Sequence, residues 1–375
     1  MKVHQQIIEG TYEAEDLKLD FKPSLFLLFV SPGYKKTEIF IAKLKELYPE
    51  AIITGCSTSG EIADISVVDD TIVLNAILFE KTTVRLETFP ISDPSRSLEV
   101  GQFLYDSLHS NNLSHLLVLS DGLHVNGAEL VKGLTMDHDT QISVTGGLAG
   151  DGTAFSKTFV INGNKLLEKQ IVGIGFYGDE LKVGYSSKGG WDSFGIERTV
   201  TRSNGNILYE LDGQPALDLY KSFLGEQKAK ELPGSGLLFP LSLREDASQK
   251  PVVRTILAIN EEDRSLTFAG SMPVGSQVRM MKANVDRLID GAEQSAHDSS
   301  KIQNEQADFA LLISCVGRRL VLKQMVEEEI EVVREVLGAR PVISGFYSYG
   351  EMAPFNKFEP CRLHNQTMTI TTFSE

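Results

Sequence analysis

Two stretches far apart in the chain share one spacing of glycines, hydroxyl side chains and a carboxylate. They read "ITGCSTSGE" at residues 53–61 and "ISGFYSYGE" at residues 343–351. Glycines at the end of a strand let backbone N–H groups approach a ligand closely, and open sheets bind ligands beyond their strand ends. These N–H groups could receive a carboxylate while Glu61 or Glu351 receives an ammonium group. That pair of contacts would suit a free amino acid.

A third glycine turn, "GGLAGDG" at residues 146–152, contains the carboxylate of Asp151. Because the turn occurs three times, we expect at least one copy to line a pocket. The predicted ligand contacts are Gly55, Cys56, Ser57, Thr58, Gly60, Glu61, Gly147, Asp151, Phe346, Tyr347, Tyr349 and Glu351. The aromatic members suit the wall of a pocket for a partly polar ligand, and packing between the two halves explains them equally well. The alternative for the other members is structural: tight turns whose carboxylates accept hydrogen bonds from neighbouring donors.

Catalytic chemistry has less support from the residue pattern. Cys56 stands beside three hydroxyl side chains at residues 57–59, but a nucleophile needs a base and the neighbouring sequence supplies no His or Lys. We therefore favour a small buried residue at Cys56. A hydrolase-like enzyme with Glu61 or Glu351 as general base stays open as an alternative, although no acid–base pair or metal motif accompanies them. None of the turns has the lysine of a phosphate loop.

The elements that must position these turns repeat along the chain. Three apolar strands end in small residues: "SLFLLFVSPG" at 24–33, "SHLLVLSDG" at 114–122 and "DFALLISCVG" at 308–317. A helix-like stretch follows each strand, and then comes a second strand that ends in one of the turns. Continuous apolar strands that alternate with helices predict sheets covered by helices, so the expected fold class is mixed α/β. The two matching turns should sit on related β-α-β units and face one shared cleft.

Length and charge restrict the class of protein. A chain of 375 residues exceeds one ordinary core, and we place a boundary within residues 205–220, which gives regions 1–215 and 216–375. The net charge of -15 disfavours nucleic acid and anionic lipid as partners. The N-terminus lacks a signal-peptide pattern, no apolar run approaches the roughly 18 residues of a membrane span, and the three cysteines are scattered. We expect a cytoplasmic protein.

Several long motifs resemble the FIST family, the F-box and intracellular signal transduction sensory domains. The segments "GCSTSGEI", "SDGLHVNG" and "GGLAGDG" resemble its N-terminal region. The segments "MKANVDRLIDGA", "GFYSYGEMAP" and "LHNQTMTITTF" resemble its C-terminal region. This resemblance covers most of the chain. It implies a cytoplasmic ligand-sensing module in signal transduction, suspected of binding small molecules such as amino acids.

Some stand-alone members of the family are haem-containing nitric-oxide sensors that act on a partner histidine kinase. Because the chain ends soon after its last motif, we expect it to signal through such a separate protein. Haem requires one good axial ligand and an apolar pocket. His364, in "CRLHNQTMT", is the candidate ligand and His124 is the reserve, while a hydrogen-bonded turn histidine is the alternative for His364. The expected function is a non-enzymatic sensor of haem or of an amino-acid-like molecule.

Overall fold

Three units of the same design follow one another in the computed structural model, which describes residues 1–136, 142–246 and 250–375. In each unit one helix, or two in the third unit, connects two parallel strands, because a parallel pair needs a crossover connection. The first unit contains β1 (Lys2–Ile8), β2 (Leu25–Val30), α1 (Thr37–Leu47), β3 (Ile52–Ser57), β4 (Glu61–Ala63), β5 (Ser66–Val68) and β6 (Ile72–Leu78). A 3₁₀ turn at Ala14–Asp16 lies between its first two strands.

The second unit repeats this order with one more helix. It contains β7 (Thr83–Pro90), α2 (Ser97–Leu108), β8 (Leu113–Ser120), α3 (Gly127–Thr135), β9 (Ser143–Leu148), β10 (Val160–Asn162), β11 (Lys165–Leu167) and β12 (Gln170–Tyr177). Asn126 begins α3 as the sequence suggests, because its side-chain oxygen accepts the N–H groups of Ala128 and Glu129.

The third unit is interrupted by an inserted segment that we call the lobe. The unit begins with β13 (Lys182–Lys188). The lobe contains β14 (Trp191–Asn204), β15 (Ile207–Leu211), β16 (Gln214–Pro215), α4 (Ala216–Ala229), β17 (Leu241–Arg244), β18 (Val252–Arg254), β19 (Ile256–Asn260), β20 (Ser265–Phe268) and β21 (Gln277–Ala283). The unit then resumes with α5 (Val285–Gln303), β22 (Phe309–Cys315), α6 (Val316–Leu322), α7 (Glu328–Leu337), β23 (Val342–Ser348), β24 (Gly350–Pro354), β25 (Cys361–His364) and β26 (Met368–Ser374).

The three units exchange hairpins with one another in a cycle. Each contributes a short hairpin that completes the sheet of a neighbouring unit rather than its own. The resulting sheets have the orders β1-β6-β2-β3-β10-β11, β25-β24-β9-β8-β12-β7 and β13-β26-β22-β23-β4-β5. The hairpin after β3 thus pairs with the third unit, the hairpin after β9 with the first, and the hairpin after β23 with the second. We call the three units together the body.

The central strands are apolar throughout because both of their faces are buried. In β2, Leu27 and Phe29 point into a core shared by all three sheets, while Phe26 and Leu28 pack on the α1 side. The shared core also contains Phe346 of β23, whose ring stacks on Phe29 with 4.9 Å between centroids. Helices α2 and α3 cover the second sheet, and α5 and α7 cover the third. The expected mixed α/β class is confirmed.

The lobe has a β-rich core of its own. Its sheet runs β18-β17-β21-β14-β15-β20-β19, with β16 paired to β15. The predicted boundary between residues 215 and 216 falls inside this lobe, between β16 and α4. The division into regions 1–215 and 216–375 stays a prediction. Within the described residues, no helix combines the length and the apolar character that crossing a membrane requires.

Candidate functional site

The three glycine turns meet at the carboxyl ends of the parallel strands. Their backbones form a closed cycle of hydrogen bonds, in which Ser59 N donates to Tyr347 O at 2.8 Å, Tyr349 N to Leu148 O at 3.1 Å, and Gly150 N to Ser57 O at 3.0 Å. We call residues 57–61, 148–152 and 347–351 the turn ring. The matching turns therefore lie on related β-α-β units, as the repeat predicts, and are hydrogen-bonded directly to one another; that they face one shared cleft stays a prediction.

A glycine before each turn lets neighbouring strands approach closely. A Cβ atom on Gly55 would lie 1.8 Å from Leu28 O, and one on Gly345 would lie 1.8 Å from Leu312 O. Gly55 also has a φ of +152°, which side chains rarely adopt. These glycines are required for packing at the strand ends.

Glu61 is enclosed by donors from its own unit. Its carboxylate accepts hydrogen bonds from Ser31 Oγ at 3.0 and 2.8 Å, from Thr71 Oγ1 at 2.9 Å, and from Thr58 Oγ1. The side chain is fully buried. Burial raises the pKa of Glu61 to about 7, although the hydrogen bonds from the three hydroxyls lower it.

Glu351 occupies the same place in the third unit. It accepts hydrogen bonds from Ser348 Oγ at 2.6 Å and from Thr367 N and Oγ1 at 3.1 and 3.0 Å. Burial raises its pKa to about 8, against the lowering effect of these hydrogen bonds. Both glutamates thus tie their own turn to the residue that precedes the last strand of the unit, Thr71 or Thr367.

In the second unit this role falls to Asp121 at the end of β8, which the sequence reasoning missed. Its carboxylate accepts the N–H groups of Leu123 and His124 at 2.8 and 2.7 Å, and also Thr158 Oγ1 and Lys169 N at 3.1 Å each. The signal that could have found it is the Ser-Asp-Gly that ends this strand, where the first unit has Ser-Pro-Gly.

Asp151 organises the loop that follows its turn. It accepts backbone N–H groups from Phe155 at 2.9 Å and from Ser156 and Lys157 at 2.8 Å each, and the hydroxyl of Tyr349. Burial raises the pKa of Asp151, but the Tyr349 and backbone hydrogen bonds outweigh it and leave the pKa below its ordinary value. The Phe155 ring stacks on Tyr349 at 4.8 Å between centroids.

The remaining predicted residues are also held inside the protein. The Tyr347 hydroxyl donates to Glu329 at 2.7 Å, and Glu329 in turn forms a buried ion pair with Arg318 at 2.7 Å. The sulfur of Cys56 is fully buried, which raises the pKa of its thiol well above the ordinary value, with Glu61 adding to the effect. The turn ring satisfies most of its polar groups internally, and a ligand role for its residues stays a prediction.

His364 is a poor match for an axial haem ligand in this conformation. Its ring is buried, its Nε2 lies 2.9 Å from the carbonyl oxygen of Ala353, and the Phe355 ring packs edge-on against it at 4.6 Å between centroids. Burial lowers its pKa to about 4. Ligation would require the imidazole to leave these contacts and a porphyrin-sized space to open beside it. The haem assignment stays a prediction.

His124, the reserve candidate, is partly exposed and lies with Nδ1 3.1 Å from Asp121. Residues 137–141, which include His138, lie outside the described part of the chain. Among the residues that are described, no group of three or more His, Cys, Asp or Glu side chains is placed to hold a metal ion.

Among the cavities lined by described residues, a polar cleft and a charged cavity lie away from the turn ring. A polar cleft of about 790 Å³ is lined by the beginnings of β8 and β9, by β13 and by the end of α5. A second cavity of about 400 Å³ separates α3 from the lobe, and we call it the junction cavity. Its charged and polar lining residues include Glu129, Lys132, Glu245, Arg254, Ser271 and Arg362. Sequence reasoning missed this site because its residues come from distant, unrelated segments.

The chain thus combines a body of three linked α/β units with an inserted lobe and a charged cavity between the two. The FIST N domain model matches residues 24–214 and the FIST C domain model matches residues 216–354. The chain belongs to the FIST family, whose domains are sensory modules of signal transduction that bind small ligands.

Individual relatives add little to this assignment. An uncharacterised protein of Methanocaldococcus jannaschii is 20% identical over 352 residues, which cover 87% of this chain and 67% of that protein. Among solved structures, a cyanuric acid hydrolase from A. caulinodans aligns with 8% identity over 78% of this chain and 67% of that chain. Its TM-score of 0.24 is too low to support any argument about activity.

Proposed function

We propose that this chain senses a small amino-acid-like molecule and passes the signal to a separate signalling protein, of the histidine-kinase type. The observation that carries the proposal is the position of the junction cavity. Helix α3, which lies in the FIST N region, forms one wall, and β18 and the loop before β21, in the FIST C region, form another. A ligand there contacts both regions at once, so its binding energy can favour one arrangement of body and lobe over another.

The charges of the cavity suit a zwitterion. Arg254 and Arg362 offer guanidinium groups, while Glu129 and Glu245 offer carboxylates. An amino acid carries both complementary charges, on an ammonium and a carboxylate group bonded to the same carbon atom. A site with positive and negative groups binds a molecule that carries both charges more tightly than a molecule that carries only one of them.

One segment of the body, residues 363–367, connects the cavity to the turn ring. Leu363 O accepts a hydrogen bond from Arg254 at 3.2 Å. Gln366 reaches into the lobe and donates to Leu237 O at 2.9 Å and to Thr255 Oγ1 at 3.1 Å. At its end, Thr367 donates to Glu351. A ligand that binds Arg254 therefore affects a chain segment, residues 363–367, that is also hydrogen-bonded to the turn ring.

A serine–histidine pair at the polar cleft resembles part of a catalytic triad. The properties of the histidine make it a poor general base. Ser143 Oγ lies 2.8 Å from Nδ1 of the buried His115. Burial lowers the pKa of His115 to about 3, and its other nitrogen meets the Thr145 hydroxyl at 3.2 Å rather than a carboxylate. A general base works best with a pKa near the operating pH. The non-enzymatic assignment stays a prediction.

The test is thermal unfolding of the purified chain against a panel of the twenty amino acids at matched ionic strength. A ligand at a hundred times its Kd stabilises the folded state by about 2.7 kcal/mol. We expect at least one compound to raise the melting temperature saturably, and its decarboxylated amine to fail. If no member of the panel shifts the melting temperature, the amino-acid proposal is overturned. An absorption spectrum of the chain expressed with haem available tests the haem alternative in parallel.

A further inference from the structure

Arg254, the last residue of β18, is a buried cation with an unusual set of partners. Only 4% of its surface is exposed. Its Nε lies 3.4 Å from Ser271 O, and its Nη1 lies 3.2 Å from both Val253 O and Leu363 O. All three partners are neutral backbone carbonyls. Among the described residues, Nη2 has no hydrogen-bond partner and no carboxylate forms an ion pair with the guanidinium, although the charge of Glu245 in the same cavity raises the pKa of Arg254 from a longer distance.

This arrangement departs from the general pattern of buried charges. A buried ion is ordinarily paired or bound to a counter-ion, because its desolvation is costly. Burial lowers the pKa of Arg254 to about 10, which leaves the group charged near neutral pH. A charged, buried side chain that borders a cavity and forms no ion pair with a described carboxylate is suited to an anion that enters from solution.

The surroundings of Arg254 fit the same interpretation. Arg362 lines the same cavity from β25, so a second guanidinium borders the space beside Arg254. Gly270 leaves room beside the guanidinium, because a Cβ atom at that position would lie 3.1 Å from Arg254 Nε. The planar fork of an arginine matches the oxygens of carboxylates and phosphates in a bidentate fashion.

We propose that the junction cavity is an anion-binding site in which Arg254 holds the carboxylate or phosphate group of a small molecule. The biological role of this site rests on the proposed sensor function. Anion binding at Arg254 can be measured without assuming that function. Arg254 donates from Nη2 to one oxygen of the anion, and Arg362 contributes positive charge from the opposite strand. Glu129 and Glu245 favour, among the anions that bind, those that also carry a cationic or hydrogen-bond-donating group, so simple anions bind at the same site but more weakly.

The experiment measures saturable thermal shifts with two probes, inorganic phosphate and sodium acetate, each against sodium chloride at equal ionic strength. The test variant is Arg254→Met, which keeps most of the side-chain volume and removes the charge. The control is Arg244→Met, which removes an exposed arginine paired with Glu197 in the lobe. Arg254→Lys, which retains the charge without the fork, serves if the Met variant does not fold.

In wild type we expect one or both probes to raise the melting temperature saturably, and the responding probe identifies which anion the site prefers. Arg254→Met should lose about tenfold or more in apparent affinity, as expected for hydrogen bonds to a charged group, and Arg254→Lys should lose an intermediate amount. Arg244→Met should respond like wild type. Without any probe, Arg254→Met should melt at or above the wild-type temperature, because it removes an unpaired buried charge.

Two results would overturn the site. One is an equal shift in wild type and both Arg254 variants, and the other is no saturable shift in wild type with either probe. The failures of the two proposals are distinguishable. An amino acid that stabilises Arg254→Met as strongly as wild type contradicts the site and leaves the sensor proposal standing. A phosphate or acetate shift that depends on Arg254, with no response to any amino acid, contradicts the amino-acid proposal alone.

Discussion

Replacing Glu351 with Gln should change how the stability of the protein depends on pH. The carboxyl group is fully buried and its pKa is raised by that burial from the ordinary 4.5 to about 8. Gln cannot ionise but has nearly the same shape. Its amide oxygen can accept the hydrogen bonds of Thr367, and its NH₂ group can donate to the Ser348 hydroxyl, as a protonated carboxyl would.

The sign follows from the numbers of protons bound. Between pH 4.5 and about 8, Glu351 is more protonated in the folded protein than in the unfolded chain, so the free energy of unfolding falls as the pH rises. Each unit of pKa difference corresponds to about 1.4 kcal/mol, so a difference of 3.5 units is worth about 5 kcal/mol across this window. Glu61, with a pKa raised to about 7, remains in both proteins and cancels in the comparison.

The assay is denaturant unfolding of wild type and Glu351→Gln at pH 5.5, about 7 and 8.5. We expect the variant to be as stable as wild type or less stable at the lowest pH and more stable at the highest. The exposed Glu50→Gln should show a constant difference from wild type and serves as the control. A difference between Glu351→Gln and wild type that stays constant over the whole range would refute the reasoning.

Three further outcomes are expected. Gly55→Ala should destabilise the protein by several kcal/mol, because its Cβ would overlap Leu28 O, whereas Gly234→Ala has open space and should cost under about 1 kcal/mol by denaturant unfolding. Arg318→Met should cost about 3–5 kcal/mol by leaving Glu329 buried and unpaired, against under about 1 kcal/mol for the exposed Arg340→Met; equal costs would contradict this. Should haem bind, His364→Ala should alter or abolish its Soret band, and an unchanged band would exclude His364 as the axial ligand.

The sequence was sufficient to predict the repeated units and their class. Apolar strands with a helix between them leave few arrangements other than parallel pairs covered by helices, and the β2–α1–β3 and β8–α3–β9 crossovers have that form. The repeat of the glycine turns also predicted that the turns are related. These inferences rest on the pattern of apolar residues within single segments, which is the same in the sequence and in the folded strands and helices.

The hairpin exchange and the role of the carboxylates could not be predicted in the same way. Nothing in the sequence of β4 and β5 distinguishes pairing with β23 from pairing with the strand before them, since both partners are apolar. The burial of Glu61 and Glu351 depends on donors such as Thr71 and Thr367, which lie ten and sixteen residues further along. These donors belong to the same unit as the carboxylate, and only the folding of that unit brings them to it.

The junction cavity was beyond the reach of sequence reasoning for a related reason. Arg254 stands on an ordinary strand with no motif around it, and a single arginine is usually a surface residue. Its burial and the absence of a carboxylate partner among the described residues become visible only when β18 lies against the 363–367 segment. The residues that line the cavity come from three separate elements, so they form no motif with a fixed spacing in the sequence.

Hydrogen–deuterium exchange, with and without the amino acid that gives the largest thermal shift, tests the central claim most directly. The account predicts slower exchange in the peptides that cover residues 128–135, 252–254 and 361–367, the three walls of the junction cavity. Slowing that is confined to the turn ring, at residues 57–61 and 347–351, would contradict the account and place the ligand at the glycine turns instead. A ligand that slows no exchange at the cavity walls would contradict it equally.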